Sequence, residues 1–366
     1  MPKGAPATDG WVLSEAPAVE IGGSEGDRIT GLRGAARLSD HRILLADAGT
    51  NELRYYDPAG RLLSTAGGTG DGPGEFGSLT RIEVSREDSV FAWDERLRRL
   101  TVFDAGGTPV RSVTLRRAGE GMRATFAGRF SDGSLLVTHR RVMSPSELTD
   151  GQRLEGTTAF LRYAPDGTPG DTIGRFPWRP SYIQIPARGA FTVYSIPFET
   201  GTLYKVHGDG LYTASAEAFE VRVFAPDGTL RRIVRKEHLR PLLSRSMVET
   251  FVQAVLQRIA DPDGRRLAGL AYEAMPYPSH VPALEGILIG EDGSLWVKEF
   301  RLPGQSRETW SVFDAAGALR RRVELAESFL PTQAGEDWIL GTWRNPDGPP
   351  TVRLYGVQRR GTRHTE

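Results

Sequence analysis

The sequence predicts an all-β fold, a six-bladed β-propeller with four antiparallel strands per blade, and three observations carry that prediction. An aromatic residue closes a strand just before a tight turn six times, as Tyr56, Phe103, Tyr163, Phe224, Phe313 and Tyr355. An acidic turn precedes each of them, at Asp40-His41, Glu87-Asp88, Asp132-Gly133, Asp209-Gly210, Asp292-Gly293 and Glu336-Asp337, and an apolar strand follows at once. The ends of the chain supply the third: the last repeat runs out after Val357, while an orphan strand, Ala18 to Gly23, stands ahead of the first repeat.

Each repeat therefore reads as strand a, acidic turn, strand b, loop, strand c, Asp/Gly turn, strand d. Strand b is explicit in Ile43 to Ala46, Val90 to Trp93, Leu135 to Thr138, Leu211 to Ala214, Leu295 to Val297 and Trp338 to Leu340. Four short strands per repeat, with turn signals between them, are the mark of propeller blades packed face to face around a channel. The blades are expected at 32–66, 79–115, 125–174, 203–234, 283–325 and 334–357, with 18–23 closing the last one. All 366 residues then form a single domain, because a repeat fold escapes the usual limit on one core. The 43 glycines and 24 prolines are spread along the chain, as many tight turns require.

Segment 235–282 is expected to be a helical insertion between blades four and five. Ser246-Met247-Val248-Glu249 matches a capping box, and Val248, Phe251, Val252, Val255, Leu256 and Ile259 recur on one side of a helix. That stripe must be covered, either as a lid or brace on the propeller or as a docking surface. Met275 to His280 is rigid and aromatic and suits a loop pressed over the channel mouth.

Charge excludes some functions. There are 46 basic and 46 acidic residues, so no global field draws the chain to nucleic acid or to an anionic membrane. The runs Arg96, Arg98, Arg99 and Arg320 to Arg322 do not change this, since neighbours along a strand point to opposite faces. With no cysteine, disulfides and thiolate chemistry are excluded. No apolar run of about 18 residues is present to span a membrane, and Met1 to Thr8 shows no export signal.

The segment Gly67-Gly68-Thr69-Gly70-Asp71-Gly72-Pro73-Gly74-Glu75-Phe76 resembles the NHL-repeat linker, a Gly-rich turn that ends in Gly-Pro-Gly and an aromatic. A decayed relative lies at 22–31, so the likeness covers about the first 110 residues. The remainder is similar to bacterial exported six-bladed propellers of unassigned activity. This resemblance implies the fold and an extracytoplasmic (periplasmic or secreted) home, and implies no activity.

Loop lengths place the function. The a-to-b and c-to-d turns, all short, lie on one side of such a disc. The extra residues fall in b-to-c loops (140–158, 301–309, 344–350) and d-to-a connections (174–203, 235–282) on the other. Long loops on a rigid scaffold are where binding residues collect. The expected partner contacts are Arg140, Arg141, Trp178, Tyr182, Tyr277, Arg301, Trp343 and Arg344. Asp47, Asp94, His139 and Glu299 stand at strand-b ends as polar residues of the channel rim. They either converge on a cation or small ligand, or accept hydrogen bonds from loop amides.

Enzymes on this scaffold use calcium held by asparagines and carboxylates, or zinc held by about three nitrogen or carboxylate ligands. Asn51 and Asn345 are the only asparagines and both fall in loops, while the six histidines are scattered. No catalytic residue, metal site or cofactor is therefore expected. The leading reading is a non-catalytic binding or scaffold protein for a protein, peptide or glycan, in one form an extrinsic subunit of an envelope complex. A lactonase-like hydrolase or lyase is the first alternative, and an NHL-like nucleic-acid module the second.

Overall fold

The structure, a computed structural model, describes residues 10–23, 27–116, 119–187, 190–345 and 348–359. Met1 to Thr8, read above for an export signal, lies outside the described residues. The described residues form an all-β fold with 28 strands and two α-helices, and most of the sheets are four-stranded antiparallel meanders, consistent with a β-propeller.

Two short strands, β1 (Gly10–Leu13) and β2 (Val19–Ile21), open the chain. The first sheet is β3 (Leu32–Arg37), β4 (Ile43–Asp47), β5 (Glu52–Tyr56) and β6 (Leu62–Gly67). The second is β7 (Leu79–Val84), β8 (Val90–Asp94), β9 (Arg99–Phe103) and β10 (Pro109–Thr114). Then come β11 (Met122–Arg129), β12 (Leu135–Arg141), β13 (Arg153–Leu154), β14 (Thr157–Tyr163) and β15 (Pro169–Pro177), of which β11, β12, β14 and β15 make the third sheet. A hairpin of β16 (Ser181–Ala187) and β17 (Ala190–Ser195) joins β13 in a separate three-stranded sheet.

The fourth meander is β18 (Leu203–His207), β19 (Gly210–Ser215), β20 (Glu220–Phe224) and β21 (Leu230–Arg235). Helices α1 (Arg245–Gln257) and α2 (Pro262–Ala274) follow. The last strands are β22 (Leu284–Ile289), β23 (Leu295–Glu299), β24 (Arg307–Phe313), β25 (Leu319–Ala326), β26 (Phe329–Ala334), β27 (Trp338–Trp343) and β28 (Thr351–Arg359). They form two meanders that β1 fuses into one nine-stranded sheet, by pairing parallel with β25 and antiparallel with β28.

The turns explain why the meanders form. In the c-to-d hairpins the Oδ1 atoms of Asp57, Asp104 and Asp314 each accept two amides, two and four residues on, at 2.8 to 2.9 Å. Asp166 and Asp227 each accept the amide two residues on. A glycine stands three residues after Asp57, Asp104 and Asp314 and directly after Asp166 and Asp227, at 60, 107, 317, 167 and 228, with φ between 83° and 89°. A type I turn followed by a left-handed glycine gives a hairpin with a bulge, and the pairing register shifts beside each of these turns.

Buried side chains fill the spaces between successive sheets. Leu44, Tyr55 and Phe76 meet Leu79, Val90 and Phe103 between the first two sheets. Trp93, Leu100 and Val102 meet Phe126, Val137 and Tyr163 between the next two. Phe130, Leu136 and Phe160 pack on Leu211, and Tyr212, Phe219 and Val221 pack on Leu284, Val297 and Phe313. Trp296, Trp310 and Val312 meet Phe329, Ile339 and Tyr355. Finally Leu340 and Val352 meet Ile43, Leu45 and Tyr56, with Val19 and Ile21 of β2 between them. Close approach of the first strands demands small residues: a Cβ on Gly128 of β11 would lie 2.6 Å from a methyl of Val206 on β18.

Strand β2 pairs antiparallel with β28, Val19 opposite Leu354 and Ile21 opposite Val352, in the position expected for a closing strand. Several features differ from the sequence reading. Strand β26 begins at Phe329, five residues ahead of the expected start of its repeat, because an acidic turn marks only the end of strand a. Arg140 and Arg141 lie within β12 rather than in a loop, paired opposite Arg123 and Met122. The insertion contains two helices, not one. The cap of α1 is Ser244, whose Oγ accepts the Met247 amide at 3.2 Å, while Glu249 instead pairs with Arg245. Helix α2 starts at Asp261, which accepts the Gly264 amide at 2.6 Å, with Pro262 behind it.

Candidate functional site

The four polar residues at strand-b ends do not converge. Asp47 is fully buried in the first sheet, where Oδ1 accepts the Gly31 and Gly49 amides at 2.7 and 3.0 Å and Oδ2 faces Arg54 at 3.1 Å. Asp94, also fully buried, accepts the amides of Gly77, Ser78 and Leu97. Glu299 accepts from Lys236 at 2.5 Å and Ser311 at 2.7 Å. His139 is buried with Nε2 2.7 Å from the Tyr163 hydroxyl, which donates to the Arg116 carbonyl. Each group has its hydrogen-bond partners within its own surroundings. Among the described residues no three His, Asp or Glu side chains are grouped to hold a metal ion.

Burial lowers the pKa of His139, and likewise those of His207 and His238, below the ordinary imidazole value of 6.5. The unfolded chain then binds more protons than the folded one. Stability is full above pH 6.5 and declines as pH falls through it towards the folded values. Desolvation raises the pKa of the carboxyls of Glu308, which is buried, and of Glu291, and these act in the opposite sense above pH 4.5. The expected result is thus a difference: His139→Phe flattens the fall in melting temperature between pH 7 and pH 5 relative to the unsubstituted protein. Parallel slopes in thermal melts would contradict it.

The eight expected contacts divide in two. Tyr182 is buried with Ile196, Ala271 and Met275 beneath α2, so it is core and not contact surface. Tyr277 packs against the same cluster, donates its hydroxyl to the Tyr272 carbonyl at 2.7 Å and has its pKa pushed up to about 12 by burial. The segment around it is thereby fastened to α2. Trp343 packs on the last core with the Arg353 guanidinium 4.1 Å from its ring centroid. Arg141 pairs with Glu147. The other four, Arg140, Trp178, Arg301 and Arg344, line one cavity of about 1160 Å³.

Chain direction fixes where this cavity lies. Its walls come from the starts of β11, β14, β18 and β22, from the ends of β12 and β15 and the residues just after β23, β25 and β27, and from α1. In an antiparallel meander these positions share one side, the side of the long loops. Six arginines line it, Arg123, Arg140, Arg179, Arg258, Arg301 and Arg344, against three glutamates. Each glutamate is already paired, Glu199 with Arg153, Glu285 with Lys298 and Glu327 with Arg301. Arg140, Arg258 and Arg344 have no ion pair among the described residues, and Arg179 only donates to the Ile196 carbonyl at 3.2 Å.

Aromatic rings form the rest of the wall. The Arg140 guanidinium lies 3.6 Å from the centroid of Trp178. Phe198 joins Phe251 of α1 to Phe300 after β23, with ring centroids at 5.5 and 6.0 Å. It does so with φ of +62°, a conformation that a bulky residue holds only at a cost of order 1–3 kcal/mol. Neither Arg179 nor the Phe198 and Phe300 pair was singled out by the sequence, because all three stand in irregular connections without periodicity. Phe251 was visible, but only as part of the apolar stripe. That stripe is half-buried along its length, with no fully buried residue in α1.

Comparison with known proteins supports the fold. The sequence matches no family model and no curated protein. A member of the DUF4221 family from Bacteroides vulgatus superposes over 96% of this chain and 100% of its own, with a TM-score of 0.52 and 10% identity. Virginiamycin B lyase from Staphylococcus aureus matches 94% of this chain and 99% of its own at a TM-score of 0.43 and 11% identity. A protein described as exported, from Bacteroides fragilis, matches 96% and 99% at 0.49 and 10%. At such identities the likeness concerns the fold alone. No helix among the described residues is long and apolar enough to cross a membrane.

Proposed function

We propose that this chain is a six-bladed, NHL-like propeller whose long-loop side binds a protein, peptide or glycan outside the cytoplasm, in one form as an extrinsic subunit of a larger complex. The blade count is supported by the shared cores that join successive sheets, the last of them joining β28 and β2 to the first sheet. The observation that carries the binding reading is the contrast between the two sides. On one, the Asp/Gly turns satisfy their own amides. On the other, arginines without ion pairs and aromatic rings line an open cavity. Arginine and aromatic residues dominate interface hot spots because they bury large areas and make many contacts. Leu239, Leu242 and Leu270, in the helical insertion of the same side, add exposed apolar surface.

The test is an alanine panel against the partner complex isolated from the native organism. Trp178→Ala and Arg344→Ala are expected to weaken binding by about 2 kcal/mol each, roughly thirtyfold, with unchanged melting temperature. Charge reversal at Arg61 and Arg320, beside the short turns, should leave affinity unaltered. Losses confined to the turn side would reverse the assignment. Stoichiometric calcium or zinc in protein purified without chelator, with turnover of lactones or phosphotriesters, would favour the hydrolase reading instead.

A further inference from the structure

The cavity has a composition that goes beyond surface docking. We propose that it is a small-molecule site for an organic anion with an extended apolar body, the anionic group held by Arg140 and Arg179 and the body lying against Phe198, Phe251 and Phe300. This stands whether or not a macromolecular partner docks on the same side.

Size is the first reason. Sites for drug-sized ligands run from about 300 to 1,000 Å³, and this cavity, at about 1160 Å³, is somewhat larger and has room for such a ligand. Its charge is the second. Three carboxylates face six guanidiniums, and all three carboxylates are engaged by Arg153, Lys298 and Arg301, leaving the positive excess on Arg140, Arg179, Arg258 and Arg344. Arg123 is held by Glu95 outside the cavity wall, at 2.9 Å, and so adds no free donor.

The third reason is geometric. A guanidinium stacked on an indole ring has its face covered but its in-plane N–H donors directed outwards, and Arg140 on Trp178 donates none of them to the described residues. Such a fork suits the two oxygens of a carboxylate or sulfonate. Although both side chains are exposed, partial desolvation makes the charge on Arg140 and Arg179 harder to hold; on Arg140 the nearby Arg123 adds repulsion, while on Arg179 Glu199 offsets part of the effect. An incoming anion relieves both effects. The indole Nε1–H of Trp178 is itself buried without an acceptor. Opposite this polar end, Phe198 is kept in a left-handed backbone conformation while it bridges α1 to the floor, giving a rigid apolar wall.

The experiment uses two fluorescent probes on the full chain. One is 8-anilinonaphthalene-1-sulfonate, an aromatic anion; the other is N-phenyl-1-naphthylamine, its uncharged counterpart. The anionic probe is expected to bind at one site per chain and to be displaced by laurate but not by dodecanol. Arg140→Gln should weaken it tenfold or more while changing the neutral probe less than threefold, and Phe198→Leu should weaken both. Arg179→Gln should match Arg140→Gln. If Arg179→Gln does not fold, Arg140→Gln decides alone, since Arg140 is exposed and makes no hydrogen bond among the described residues. The control Arg141→Gln, on the same strand but paired with Glu147, should bind as the unsubstituted protein does. Absence of saturable binding, equal loss of both probes in Arg140→Gln, or an equal loss in Arg141→Gln would each overturn the proposal. None of these outcomes bears on partner capture, which the alanine panel reads separately.

Discussion

Removal of residues 1–23 is expected to lower the melting temperature by more than about 10 °C and to make the protein prone to self-association. The deletion strips β2 from β28 and exposes the last core. Val19 and Ile21 are 7% and 1% exposed, and each such side chain contributes about 1.5–3 kcal/mol on burial. Ile43, Tyr56, Leu340 and Val352, which surround them, become solvent-exposed in turn. The ion pair of Glu20 with Arg353 at 2.8 Å is lost as well, though at the surface it matters less. A loss of 5 kcal/mol or more corresponds to at least 10 °C in a domain of 150–250 residues, and somewhat less per kcal/mol in a longer chain. The bare edge of β28 is also a template for pairing with another chain. Thermal melts and light scattering of the truncated protein measure both effects. Ile21→Ala, costing about 2–4 kcal/mol by cavity formation, isolates the packing part. A truncated protein that melts within 3 °C of the full chain would show that closure rests elsewhere, for instance on the Gln333 side chain, which bridges both backbone groups of Arg37.

The hairpins were legible because their chemistry is local. A left-handed glycine four residues after an aromatic, with an aspartate in the turn between them, needs no knowledge of distant residues, and the closing strand could be inferred from what the last repeat lacked. Strand β1 was not legible. Gly10-Trp11-Val12-Leu13 is only four residues long and pairs with strands more than 300 residues away, one of them in parallel. The hairpin β16–β17 carried a signal in the alternation Tyr182, Gln184 and Phe191, Val193, but it lay inside a segment already assigned as a connection. Helix α2 was masked by two glycines, although Asp261-Pro262 is a start signal of the usual kind.

The site was half legible for a related reason. Loop length alone pointed to the side on which the cavity lies, and Arg140, Trp178, Arg301 and Arg344, which line it, were singled out by their position at strand ends. What the sequence does not display is which of them are already satisfied. Tyr182 and Tyr277 look like contacts until α2 is seen to cover them, and the polar residues at strand-b ends look like a ring of ligands until their amide donors are placed.

Those amide donors motivate the second large effect: Asp94→Ala is expected to destabilise the protein by about 3–5 kcal/mol. The carboxylate is fully buried at the end of β8. It accepts from Gly77 and Ser78, which lead into the sheet, and from Leu97 in the turn that follows. Asp47 does the same for Gly31 and Gly49 in the first sheet. After β12, β23 and β27 the connections are longer and His139, Glu299 and Trp343 stand at the strand ends, while β19 has a connection as short as that of β8 and ends in Ser215. At Asp47 and Asp94 the carboxylate supplies the acceptor for amides of the flanking connections. Truncation leaves three N–H groups without a partner, each costing about 1–3 kcal/mol where water cannot reach it. Asp94→Asn keeps an acceptor but turns an NH₂ towards one of the amides, so it should recover part of the loss. Chemical denaturation of both variants, with Asp71→Ala as a surface control, measures the effect. A loss below 1 kcal/mol for Asp94→Ala would mean that water replaces the carboxylate, and would reopen the strand-b end as a place for a ligand.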